Sequence, residues 1–68
     1  MRPGRYYFTV RGPNRDYADD EGTPLPDAKS AFALANRIIG ELKDDGDYGG
    51  HVMIVRDAAG RDVFTIPF

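Results

Sequence analysis

The chain has 68 residues, 29% of them charged, with a net charge of −2, one histidine and no cysteine. A chain of this size has room for one small core and buries only about 60% of the surface its unfolded form exposes. Without cysteine there is no disulfide and no thiolate metal site, and the single histidine, His51, rules out a multi-histidine site within one chain. Folds below about 70–80 residues usually add a disulfide, a metal or a partner subunit, so self-association is the supplement most available here. The acidic balance also lowers the case for phosphate neutralisation, which asks for a net basic face.

The start, Met1-Arg2-Pro3-Gly4-Arg5, leads into an apolar run too short for a signal-peptide core. No apolar stretch approaches the roughly 20 residues that span a bilayer. A cytoplasmic protein without a membrane segment is the expectation. "RYYFTVR" at 5–11 is aromatic and β-branched between arginines, which predicts a strand. Its alternation puts Tyr6, Phe8 and Val10 on one face and Tyr7 and Thr9, with Arg5 and Arg11, on the other. "GPNR" at 12–15 predicts a turn, because Gly and Asn tolerate positive φ and Pro fixes its own. Asp16-Tyr17-Ala18 then predicts a short strand folded back on the first.

The stretch "RDYADDEGTPLPDA" at 15–28 packs Asp16, Asp19, Asp20 and Glu21 into six positions. A calcium loop of the EF-hand kind needs alternating oxygen ligands, a glycine at the sixth position and a glutamate at the twelfth. Counting from Asp16, the third residue is Ala18, the sixth Glu21 and the twelfth Asp27. Pro24 and Pro26 would stiffen the half that should wrap the ion. The spacing favours a solvated acidic turn near the positive end of a helix dipole over a metal site.

From Asp27 the apolar period becomes helical. Ala28, Ala31, Phe32, Ala35, Ile38, Ile39 and Leu42 follow the i, i+3, i+4 rule. Asp27 is the natural N-cap, and Gly46 suits the left-handed position just past the helix end. Asp44, Asp45 and Asp47 oppose the dipole there, so the helix is expected to stop near Lys43. A helix of about 16 residues is roughly 24 Å long, which keeps the two acidic groups apart. "HVMIVRD" at 51–57 and "RDVFTIPF" at 61–68 predict two strands, joined by "DAAG" with Gly60 supplying a left-handed residue. A three-residue loop pairs Ile54 with Phe64; a four-residue loop pairs Met53 with Phe64.

The whole, residues 1–68, reads as one α+β domain of two layers. Its order is β-β-α-β-β, with one amphipathic helix on one face of a small antiparallel or mixed sheet. Val52-Met53-Ile54-Val55 is apolar on both faces, more than a strand with one solvated face requires. Whichever parity meets the helix, an apolar strip remains on the open side, and a second copy of the sheet is the simplest cover.

Chemistry is sparse. The glycines make no dinucleotide or P-loop pattern. His51 has no nearby Ser or Cys to pair with, and a packed or surface role suits it better than that of a general base. No catalytic, metal-binding or cofactor-binding residues are expected. The first functional expectation is a non-enzymatic, self-associating interaction module, a homodimer through the open face with Tyr7, Thr9, Val52 and Ile54 at its centre. A protein partner other than itself is a further possibility. The second is a nucleic-acid-binding or regulatory accessory protein using Arg5, Tyr7, Arg11 and Arg56 on that face. The third is a small-molecule or metal-binding protein using residues 16–22.

"RYYFTVRG", "DDEGTPLPDAKSAFALA" and "VRDAAGRDVFTIPF" together resemble a family of short bacterial proteins of unknown function, mainly alphaproteobacterial. Its members open with an R-Y-[YF]-F strand, carry D-E-E-G-x-x-L-P-D before an alanine-rich helix, and close in a D-x-x-G hairpin with an L-P-F-like end. The resemblance implies that Asp20, Glu21, Gly22, Leu25, Pro26 and Asp27 act as a unit: a turn, an anchor and a helix cap. It also implies that Met53 and Val55 face the helix, because relatives often carry polar residues at the positions of Val52 and Ile54.

Overall fold

The computed structural model describes residues 4–46 and 48–68; the expectations on Met1 to Pro3 and on Asp47 lie outside them. The elements are β1 (Gly4–Arg11), β2 (Asp16–Tyr17), β3 (Thr23–Leu25), α1 (Ala28–Asp45), β4 (Val52–Arg56) and β5 (Asp62–Pro67). All strands pair antiparallel, in the order β2-β1-β4-β5, with β3 added to the same edge of β1 as β2. The helix packs on one face, against β4 and β3. This is the expected α+β architecture with one strand more.

The extra strand is β3. Thr23-Pro24-Leu25 reads as turn because of Pro24 and the adjoining Pro26, yet it runs along the start of β1 with Gly4 opposite Leu25 and Tyr6 opposite Thr23. A proline fits there because β3 is an edge strand, whose outward backbone needs no partner. Between β1 and β2 the predicted turn closes with the Gly12 N–H donating to the Arg15 carbonyl at 2.9 Å.

α1 starts where its cap predicts. Asp27 is extended, and its Oδ1 accepts the Ser30 N–H at 2.8 Å. The far end differs from expectation: α1 runs on to Asp45, past Lys43 in its last turn. Gly46 closes it in an extended conformation (φ −177°), not a left-handed one, while its N–H still donates to the Leu42 carbonyl at 3.1 Å. This bond meets the Leu42 carbonyl, and Lys43 offsets the acids against the dipole.

Register assigns the two faces. Phe8 lies opposite Val55, and Val55 opposite Phe64; Val10 lies opposite Met53, and Met53 opposite Ile66. These residues face α1, where Ala31, Ala35 and Ile39 complete a core with Met53 and Val55 fully buried. Small alanines at the contact let the helix sit close to the sheet. Met53 and Val55 are thus the helix-facing pair. The other face carries Tyr7–Arg56–Asp62, Thr9–Ile54–Thr65 and Arg11–Val52–Pro67 as cross-strand rows.

Neither expected pairing of the last hairpin occurs. The loop is held by Asp57, whose Oδ1 accepts the N–H groups of Ala59 and Arg61 at 2.9 and 3.0 Å. Gly60 takes φ +82° and donates to the Asp57 carbonyl. Arg56 then pairs with Asp62 but Val55 with Phe64, so Val63 is an extra residue in β5. Without this bulge Phe64 and Ile66 would turn to the open face, because a one-residue slip inverts every side chain.

Candidate functional site

The acidic stretch works as backbone, not as a ligand set. Asp19 Oδ2 accepts the Phe8 N–H at 3.0 Å, and its Oδ1 accepts the N–H groups of Gly22 at 3.0 Å and Glu21 at 3.3 Å. β1 pairs with β2 at Val10–Arg11 and with β3 at Gly4–Tyr6, so its edge is bare between them. The Asp19 carboxylate fills that gap and folds the loop onto the strand. Burial pushes the Asp19 carboxyl up, but the bonds from Gly22, Phe8 and Glu21 outweigh it and hold the pKa below its ordinary value. Among the described residues, no three His, Asp or Glu side chains gather closely enough to hold a metal ion.

This corrects two expectations. The 19–21 turn is not simply solvated, since Asp19 is half-buried against β1. The implied unit of Asp20 to Asp27 also leaves out its principal member, Asp19. Gly22 belongs in the unit for a steric reason. It takes φ +73°, and a Cβ there would lie 2.8 Å from Tyr7 Cε2 and 3.0 Å from the Tyr6 carbonyl oxygen. Arg5 secures the same loop, its Nη1 donating to the Glu21 carbonyl at 2.8 Å.

The open face brings Tyr7, Thr9, Val52 and Ile54 together, Thr9 directly opposite Ile54. Tyr7, Thr9 and Val52 are half-buried, whereas Ile54 is only 5% exposed although it lies outside the helix-facing core. The apolar area left at the centre of this face is therefore smaller than the sequence suggests. A lysine at 54 would be buried in the single chain, so Ile54→Lys cannot separate association from folding.

The arginines of that face are already engaged. Arg56 Nε donates to Asp62 Oδ1 at 2.8 Å, Arg11 stands 3.8 Å from Asp16, and Arg5 holds the loop. Guanidinium groups tied in this way offer fewer free donors to phosphate. Beside them lies an open depression of about 310 Å³, lined by Tyr7, Thr9 and Arg56 between the 18–20 loop and the 57–60 hairpin. Asp19 and Asp57 face it, but their oxygens serve backbone N–H groups. Of the lining carboxylates, Asp20 alone has no hydrogen bond or ion pair among the described residues.

His51 is packed, not poised. Its ring sits edge-on to Tyr48 at 5.2 Å and to Phe68 at 6.1 Å, while Tyr48 and Phe68 stack at 5.6 Å. A Cβ on Gly12 would collide with its Nε2. This aromatic trio clasps residue 68 to the turn before β4, and the Phe68 N–H donates to the His51 carbonyl. The sequence gives no hint of it, because Tyr48 and His51 share one turn but Phe68 lies just past the far end of the last strand.

No helix of the described residues is long and apolar enough to cross a membrane. Neither the curated proteins nor the solved structures hold a match to this chain. A family model does match, over residues 5–68, which span the Asp19 loop, the capped helix and the closing hairpin. The chain belongs to the family described as a domain of unknown function, DUF6894.

Proposed function

We propose that this domain is a non-enzymatic interaction module that associates with a second copy of itself through the open face of its sheet. The observation behind this reading is the bare face itself: α1 covers one side of the sheet, and the other side has no covering layer among the described residues. At its centre Val52 on β4 is half-exposed beside the already covered Ile54, flanked by Tyr7 and Thr9 on β1. Burying this patch against a symmetry mate contributes about 25 cal/mol per Å² of apolar area, less the cost of association. A two-fold axis sets the patch against itself, so one substitution acts twice. The residues with chemistry to offer are in structural use: Asp19 and Asp57 hold loops, and His51 is packed between rings.

Val52→Lys tests this reading, because Val52 is on the open face and is only half-buried. Sedimentation at high micromolar concentration should show the variant with half the mass of the wild type and an unchanged far-ultraviolet circular dichroism spectrum. A wild type that sediments as one chain at every concentration overturns the reading, and so does a variant with unchanged mass.

A further inference from the structure

The two outer edges of the sheet are treated differently. On the β2–β3 side the bare Phe8 N–H is capped by Asp19, and Asp16, Asp20, Glu21 and Pro24 stand along the edge. On the other side β5 is outermost, and residues 63–68 carry no charged side chain. Charged residues and prolines are the usual guards against edge-to-edge pairing. Here Pro67 and the bulge at Val63 bracket a short stretch that neither protects.

The direction of the free backbone groups follows from the ladder. Pro67, opposite Val52, has no N–H, and the Phe68 N–H donates to the His51 carbonyl at 3.1 Å. Val52–Pro67 is therefore a non-hydrogen-bonded pair, and by antiparallel alternation so is Ile54–Thr65. The N–H and C=O of Thr65 point away from β4, and no described residue pairs with them. On the helix side of the same strand Phe64 and Ile66 are half-buried. Phe32, 44% exposed, stands with its ring 5.0 Å from that of Phe64.

We propose that two copies of the chain join edge to edge through β5, antiparallel about a two-fold axis at Thr65. That axis sets Thr65 against Thr65 of the second copy with two reciprocal N–H···O=C bonds. It also sets Phe64 against Ile66 of the second copy, an aromatic–aliphatic cross-strand pair made twice beneath Phe32. Asp62 falls opposite Phe68, so no like-charged side chains oppose each other. The register is specific. An axis at Pro67 has no donor, and an axis at Val63 runs the strand into the hairpin loop. The paired stretch is short, which makes a weak dimer that forms as concentration rises. The contact goes beyond the open-face reading and does not depend on it; it would place two open faces side by side in one ten-stranded sheet.

Because the chain has no cysteine, Thr65→Cys can form only an intermolecular disulfide. The Cα atoms of an antiparallel hydrogen-bonded pair lie about 5.5 Å apart, within bridging range. The cysteine variant is made in the Val52→Lys background, which removes the open-face contact, and is compared with Ala33→Cys, an exposed helical position. Under mild oxidation the residue-65 variant should cross-link at least tenfold faster. Thr65→Pro, which removes an N–H that no described residue pairs with, should give monomer in the same background at concentrations above those of the open-face test, where Val52→Lys alone sediments as a dimer. Cross-linking no faster than the Ala33→Cys control overturns the proposal, whatever the fate of the open-face reading.

Discussion

Replacing Asp19 with alanine leaves three backbone N–H groups without their acceptor, those of Phe8, Glu21 and Gly22. The Phe8 bond is part-buried at the gap in the β1 edge, and an unsatisfied buried donor costs about 1–3 kcal/mol. The Gly22 bond is also part-buried and adds a smaller loss, while water readily replaces the exposed Glu21 bond. The sum is about 2–3 kcal/mol. Against a total stability of roughly 3–10 kcal/mol for a chain of this size, that is a large fraction. At about 4–8 °C per kcal/mol, the melting temperature should fall by about 8–24 °C. Asp19→Asn should lose nearly as much, because one amide oxygen can keep Gly22 but the NH₂ group then opposes the Phe8 N–H. Asp20→Ala, on the exposed neighbour, should stay within about 0.5 kcal/mol.

The assay is thermal unfolding followed by circular dichroism, with hydrogen exchange at the Phe8 amide as the local readout. Equal midpoints for Asp19→Ala and Asp20→Ala would refute the reasoning. Acid gives a second reading. Because the folded pKa of Asp19 is depressed, its stabilisation is present above the unfolded pKa of about 3.9. It is lost as the pH falls below that value through the folded pKa. The wild type should therefore lose stability below about pH 4 more steeply than Asp19→Ala.

Asp27→Ala should lower the melting temperature and fray the first turn of α1, because the Ser30 N–H loses its acceptor; an unchanged helical signal with unchanged Ser30 exchange counts against this. Gly22→Ala should cost about 1–3 kcal/mol, from the left-handed backbone and the clash with the Tyr6 carbonyl and Tyr7 ring, whereas Gly40→Ala, with open space around it, should stabilise α1. Thermal denaturation of the pair checks both signs. Titration with millimolar Ca²⁺ should leave the amide shifts of residues 16–22 nearly unchanged, since the Asp19 oxygens are committed to N–H groups. Saturable shifts at micromolar ion would show a site that this geometry lacks.

The elements with a strong period were legible in the sequence. The alternation of Tyr6, Phe8 and Val10 and the stripe through Ala31, Ala35 and Ile39 depend on local geometry alone, and both lie on the core as read, except that Phe32 of the stripe is 44% exposed. The cap at Asp27 was equally plain, because a cap is a contact between residues three apart. β3 was hidden, since Pro24 argues against a strand in so short a segment, and it pairs because β1 offers it an edge. The role of Asp19 was hidden too. Its main partner, the Phe8 N–H, lies 11 residues away, and nothing in an acidic run marks which carboxylate will fill a gap in a ladder.

The sequence by itself determined an α+β chain with one capped amphipathic helix and strands of fixed facial pattern, because period, capping and turn chemistry act within a few residues. Tertiary structure alone decided the register of the last hairpin. There the bulge at Val63 swings Phe64 and Ile66 under the helix, since apolar burial outweighs a regular ladder. It alone decided that Ile54 is covered without facing the helix, and that Thr65 turns outward an N–H and C=O with no partner among the described residues. Both follow from which strands become neighbours, and hydrophobic pattern does not encode neighbour order.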